Sequence, residues 1–123
     1  MELDVRKSIS LRDRSRSMSR QMRVVIKRPD EEIGHSTFVS NNLGNLQKTV
    51  DGYIEVVTVY WRDYDFVILC NEEGKLQGLP DNCWLFGEKF VGTLVFCGIN
   101  GDELTDLPFS FMEYKEMLEE VME

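Results

Sequence analysis

Few residues in this 123-residue chain could do chemistry, and their spacing argues against most of it. A Ser-His-Asp or Cys-His arrangement would have to use His35, the single histidine, which stands beside an early turn with no nucleophile signature nearby. The three cysteines, Cys70, Cys83 and Cys97, contain no C-x-x-C pair. The four clustered ligands that usually hold zinc are missing as well, so the thiols read as small buried hydrophobes and no metal site is expected. No G-x-x-x-x-G-K or G-x-G-x-x-G run exists to cradle a phosphate, and no cofactor is expected. Glu72-Glu73 could serve as acid and base. In a chain with 22 acidic residues, however, a charged pair in a turn selects nothing. These residues point away from an enzyme.

Interaction chemistry is better represented. Tyr60, Trp61, Tyr64 and Phe66 bunch at one hairpin end, and Trp84 and Phe86 lie in a loop. Side chains of this kind anchor interfaces or close ligand pockets. Tyr60, Trp61, Tyr64 and Trp84, with the polar turn Asn71, Glu72, Glu73 and Lys75, form the candidate contact set; the contact is the acidic face or the Tyr60 to Phe66 hairpin, and loss of Trp61 would abolish binding. A second reading is a pocket floored by the sheet and rimmed by Asn71, Lys75 and Trp84, taking a small molecule such as a nucleotide messenger. The scarcity of lysine and arginine in the body counts against an anionic ligand.

Charge divides the chain. The first 28 residues hold nine basic and three acidic side chains, net +6, so the chain's net charge of −8 leaves −14 on residues 29 to 123. A body this acidic repels a nucleic-acid backbone. It could instead imitate one. Residues 1–21, with Arg12-Asp13-Arg14-Ser15-Arg16-Ser17 and no hydrophobic period, read as a disordered basic tail that could touch phosphate or could be upstream reading frame, since Met18 and Met22 are both plausible starts. No apolar run approaches the ~20 residues that cross a bilayer, and no signal-peptide core is present. A cytoplasmic protein is expected.

The elements that must position these residues fit one domain over 22–123. Arg23 to Arg28 is a β-branched run stopped by Pro29-Asp30, and Ser36 to Val39 pairs back to it. Ser40-Asn41-Asn42 offers an N-cap for a short helix with Leu43, Leu46 and Val50 on one stripe, and Gly52 stands where a left-handed residue would stop it. Tyr53 to Trp61 and Phe66 to Cys70 form a hairpin, the second strand apolar enough to be buried on both faces. Leu76 to Leu79 reads as a short strand and Asp81 to Lys89 as irregular chain pinned to the core. Gly92 to Ile99 reads as the last strand. Thr105 is the expected N-cap of a final helix carrying Phe111, Tyr114, Leu118 and Val121 on one face and Glu113, Glu116, Glu119 and Glu120 on the other, a solvated acidic face. The expected class is α+β, a mostly antiparallel sheet of about five strands covered by two helices.

Three blocks carry a resemblance. Gly52-Tyr53-Ile54-Glu55-Val56-Val57, Cys70-Asn71-Glu72-Glu73-Gly74-Lys75-Leu76, and Gly78-Leu79-Pro80 with Asn82 resemble the domain-of-unknown-function 3846 family, small proteins of phages, plasmids and other mobile elements. The likeness runs from about Met22 to the C-terminus and includes Val91-Gly92-Thr93. Asp51 and Trp84 depart from the family pattern, which implies a distinct partner. By analogy, the resemblance implies an accessory protein that antagonises host defence (an anti-CRISPR or anti-restriction type) by binding an effector or nucleic-acid-processing protein, by DNA mimicry, or by sequestering a nucleotide. A homodimer through an exposed strand edge is a further expectation.

Overall fold

The computed structural model describes residues 2–3 and 21–123. Its elements are β1 (Glu2–Leu3), β2 (Gln21–Lys27), β3 (His35–Ser40), α1 (Leu43–Val50), β4 (Ile54–Trp61), β5 (Tyr64–Asn71), β6 (Asp81–Leu85), β7 (Glu88–Val91), β8 (Leu94–Asn100), β9 (Glu103–Thr105) and α2 (Phe111–Val121). Seven strands form one antiparallel sheet in the order β1-β4-β5-β8-β2-β3, with β9 on the far part of β8, and β6–β7 is a separate hairpin. The mostly antiparallel sheet with two helices is as expected, with more strands than the five foreseen. The expected tail, 1–21, lies outside the described residues except for Glu2–Leu3 alongside β4 and Gln21, which opens β2.

Period-two alternation sorts the side chains onto two faces. Val57, Val59 and Trp61 of β4, Phe66, Ile68 and Cys70 of β5, and Leu94 and Phe96 of β8 meet Tyr114, Met117, Leu118 and Val121 of α2, with Leu85 and Phe90 of the β6–β7 hairpin. On the opposite face Val56, Val67, Leu69, Val95 and Cys97 meet Leu46 and Val50 of α1. β5 is therefore buried on both sides, as its continuous apolar run requires. Burying each large apolar side chain contributes about 1.5–3 kcal/mol, so the four core residues of α2 outweigh the helix's own marginal propensity.

Several expected boundaries move. The left-handed residue that stops α1 is Asp51 (φ 63°), while Gly52 takes the next position and donates its N–H to Gln47 O at 2.9 Å, closing a Schellman turn. Residues 76–79 are not a strand. Gln77 N–H donates to Glu73 O and Leu79 N–H to Gly74 O, so the segment coils back on itself. The 81–89 segment is the β6–β7 hairpin, turned by Phe86 (φ 54°) and Gly87 (φ 78°) and joined to α2 by Phe86 N–H donating to Val121 O. β8 is not last, because Gly101 turns the chain into β9. Thr105 ends β9, and the cap of α2 is Ser110, whose hydroxyl accepts from Glu113 N–H in a capping box. Thr105 is taken up by its pairing with Gly98 of β8, which leaves Ser110, with Glu113 three residues on, as the cap.

Trp61 is fully buried (0% exposed). It meets Phe109 edge-on at 5.2 Å, and the Arg62 guanidinium lies 4.1 Å over its ring. The anchor expected at an interface is thus a core residue. Trp61→Ala is expected to lower the unfolding free energy by about 3–5 kcal/mol, read as a shifted urea midpoint.

Candidate functional site

The contact residues expected from sequence separate into three places. Trp61↔Tyr64 closes one end of the β4–β5 ladder and Ile54↔Asn71 the other, so the aromatic hairpin end and the motif loop stand about 24 Å apart at ~3.4 Å per residue. Trp84 is on β6 and lines neither. Asn71 and Lys75 border a cavity of ≈ 70 Å³ beside Phe90 and Val91, whereas Trp84 lines a groove of ≈ 490 Å³. The single pocket rimmed by Asn71, Lys75 and Trp84 does not form. A 70 Å³ space has room for about two waters, far short of the ~300 Å³ a nucleotide-sized ligand needs.

At the hairpin end, Tyr60 is exposed and Tyr64 is half-buried. The Tyr64 hydroxyl donates to Glu113 Oε2 at 3.0 Å. Arg62 pairs with Glu116 (3.0 Å) and Glu120 (2.9 Å), and the Trp61 indole N–H also reaches Glu120 at 3.4 Å. Three of the four carboxylates expected on a solvated helix face are therefore engaged within the molecule. That leaves less free charge there than the sequence implied.

The motif loop divides into residues that build it and residues it presents. Asn71 is buried at its base. Its Nδ2 donates to Asp51 O (2.7 Å) and Val50 O (3.3 Å), and its Oδ1 accepts the Glu73 N–H (2.8 Å). One amide thus satisfies the carbonyl end of α1 and starts the turn after β5. Gly52 makes room for it, since a Cβ there would lie 2.6 Å from Asn71 Nδ2. Gly74 lies under the loop, where a Cβ would meet Val91 Cγ2 at 2.9 Å. Asn82 does comparable work on the other side. Its Nδ2 donates to Lys27 O and Gly92 O, and its Oδ1 accepts from Lys27 Nζ at 2.7 Å. Lys27 is only 2% exposed and gives a second bond to Glu31 O at 2.8 Å.

These are the blocks by which the chain resembles a family, and the family model that matches, Domain of unknown function (DUF3846), covers residues 22–120. The chain belongs to the DUF3846 family. No curated protein and no solved structure matches it. Within this DUF3846 domain, Gly52, Asn71, Gly74 and Asn82 are accounted for by packing and hydrogen bonds. Tyr53 (67% exposed) and Leu76 (87% exposed) are not, nor are the exposed Glu72, Glu73 and Lys75. They are contiguous. Glu72 N–H donates to Tyr53 O at 2.8 Å; Tyr53, Glu73 and Gln77 line a ≈ 360 Å³ groove, and Glu73, Lys75 and Leu76 border the separate ≈ 70 Å³ cavity. Tyr53 was not among the residues singled out from sequence. Its place in an apolar strand hid that it sits just before β4, outside the sheet's cover.

Among the described residues no cluster of three metal-ligating side chains occurs, and no helix is long and apolar enough to cross a membrane. Burial pushes the Cys97 thiol far up. It also raises Cys83, against a smaller opposing pull from the Lys27 charge.

Two measurements follow from this geometry. Asn71→Ala leaves the Asp51 and Val50 carbonyls and the Glu73 N–H without their partner, and is expected to reduce stability by about 2–4 kcal/mol in urea unfolding. In the turn after β2, Glu31 Oε2 lies 2.7 Å from His35 Nδ1 and Oε1 accepts the Arg28 N–H at 2.9 Å. Burial works to raise the Glu31 pKa, but the bonds from Arg28 and His35 and their charges together hold it below its ordinary 4.5. A depressed folded pKa stabilises above the unfolded value and stops doing so as pH falls through the folded one. The difference in urea midpoint between the native chain and Glu31→Gln should therefore shrink on acidification below about pH 4.5.

Proposed function

We propose that this protein is a small non-enzymatic binding protein of a phage or other mobile element, acting in the host cytoplasm on a defence or nucleic-acid-processing protein. An anti-CRISPR or anti-restriction role is the form this takes. The observation that carries the reading is the division within the family blocks. Their buried members brace the loop, and the members left over are Glu72, Glu73, Lys75 and Leu76 on the loop and Tyr53 on the neighbouring segment, whose carbonyl accepts the Glu72 N–H. A leucine 87% exposed at the tip of a braced loop suits an anchor that enters a partner's pocket. An aromatic ring and unpaired charges around it supply a rim. Thiols pushed up by burial are poor nucleophiles, which favours binding over covalent chemistry.

DNA mimicry is the second reading, favoured by one observation. Residues 21–123 carry nineteen acidic against eight basic side chains. The two readings differ in what salt does. Anchor-led binding tolerates it, whereas charge-led binding weakens as the Debye length shortens.

The test uses the full chain as bait in a host lysate, with the retained protein then titrated in purified form. Leu76→Asp and Tyr53→Ala are expected to weaken that complex by roughly 30-fold or more with an unchanged melting temperature, because neither side chain is packed in the core. If Glu72→Gln with Glu73→Gln removes binding and Leu76→Asp does not, the mimic reading replaces the anchor reading. If the lysate yields no protein and the chain turns over a substrate, both fall.

A further inference from the structure

The sheet ends on β3, whose outer edge has no strand partner among the described residues. Such edges are normally blunted by charged side chains, proline or a bulge, because open N–H and C=O groups recruit other strands. β3 reads His35-Ser36-Thr37-Phe38-Val39-Ser40, with no lysine, arginine, acid or proline, and its pairing with β2 runs through six consecutive residue pairs without a register shift. Phe38 is 64% exposed in the middle of it.

Phe38 stands on the α2 side of the sheet. It pairs across from Arg23, whose guanidinium donates to Leu107 O (2.6 Å) and Phe109 O (2.7 Å) on the approach to α2. Nearby, the Tyr114 hydroxyl donates to Ile33 O at 2.6 Å. Ile33, two residues before β3, is also exposed.

We infer that two copies of this chain pair antiparallel through β3, about a two-fold axis at Phe38. A two-fold normal to the sheet keeps corresponding faces on one side, so residues of the same parity must lie opposite each other. With Phe38 on the axis, Phe38 meets Phe38, Thr37 meets Val39, and Ser36 meets Ser40. The two exposed rings then cover each other, a cross-strand aromatic pair, and no like charges are opposed. That absence of charge is what makes a second copy the fitting occupant. The strand itself carries no lysine, arginine, aspartate or glutamate that would oppose its copy. The joined sheet runs unbroken through both subunits, and the motif loop belongs to a different part of the fold, so the pairing is independent of the proposed partner contact.

The pairing is read most directly by cross-linking the full chain. Opposed Cα atoms in an antiparallel pair lie about 4.5–5.5 Å apart, within disulfide reach. Phe38→Cys treated with diamide is expected to run mainly as a covalent dimer. Tyr53→Cys, at an equally exposed position, and the native chain, whose Cys83 is half-buried, should remain monomeric under denaturation. By sedimentation, the native chain should dimerise with rising concentration and more readily as salt screens its net charge. Thr37→Lys should weaken association by about tenfold or more with little change in melting temperature. A monomer at every concentration, or a dimer that survives Thr37→Lys while Phe38→Cys fails to cross-link, overturns the inference.

Discussion

The Asn71 side chain sits where three segments must end or turn at once. α1 finishes with carbonyls that have no helical partner, β5 runs out of ladder, and the motif loop begins. Burying those groups unpaired would cost about 1–3 kcal/mol each. A single amide serves them together because it donates and accepts in one plane, and because Gly52 leaves room for it. Asn82 repeats the device between β2 and the chain entering β8, with the Lys27 ammonium as a further donor. The two asparagines hold in place the loops at the margins of an otherwise apolar sheet.

Between those margins, the core is organised by β5 and β8, each buried on both faces. One face is deep, with Trp61 and Phe66 edge-on to Phe109, Tyr64 tilted against it, and Phe96 edge-on to Tyr114 of α2. The other is thin, covered by the eight residues of α1. The short helix leaves Tyr60 in solvent, where the same strand buries Trp61 one position later on the other face. The acidic side of α2 is drawn into this scheme by Arg62, which stacks on Trp61 and pairs with two glutamates. Exposed ion pairs of this kind stabilise little individually, but they use up carboxylates that would otherwise be available to a partner.

Much of this was legible in the chain itself. The β-branched runs of β2 and β4, the apolar run of β5 and the Leu46–Val50 stripe of α1 announce themselves through periodicity, a local property of spacing. So does the cap Asn42, which accepts the Asn45 N–H as a capping side chain should. The β6–β7 hairpin was hidden, because Asp81 and Asn82 have weak strand preference and the register shifts between Asp81 and Cys83. The cap of α2 was misplaced by five residues, since Thr105 and Ser110 are both chemically competent and only pairing to β8 removes the first.

By itself the sequence determined the class of fold, the family, the acidity of the body and the lack of any recognisable catalytic motif, because composition, motif and period are written along one dimension. Which side chains reach solvent was decided only in three dimensions. Trp61 and Tyr53 are both aromatic residues at the ends of one apolar run, and nothing local says which is core. The answer depends on where α2 lies and how far α1 extends, and so on contacts between residues some sixty positions apart, such as Trp61 with Glu120. The same holds for the open edge at β3. An edge is a property of strand order, and strand order follows from how distant strands pair across a shared core.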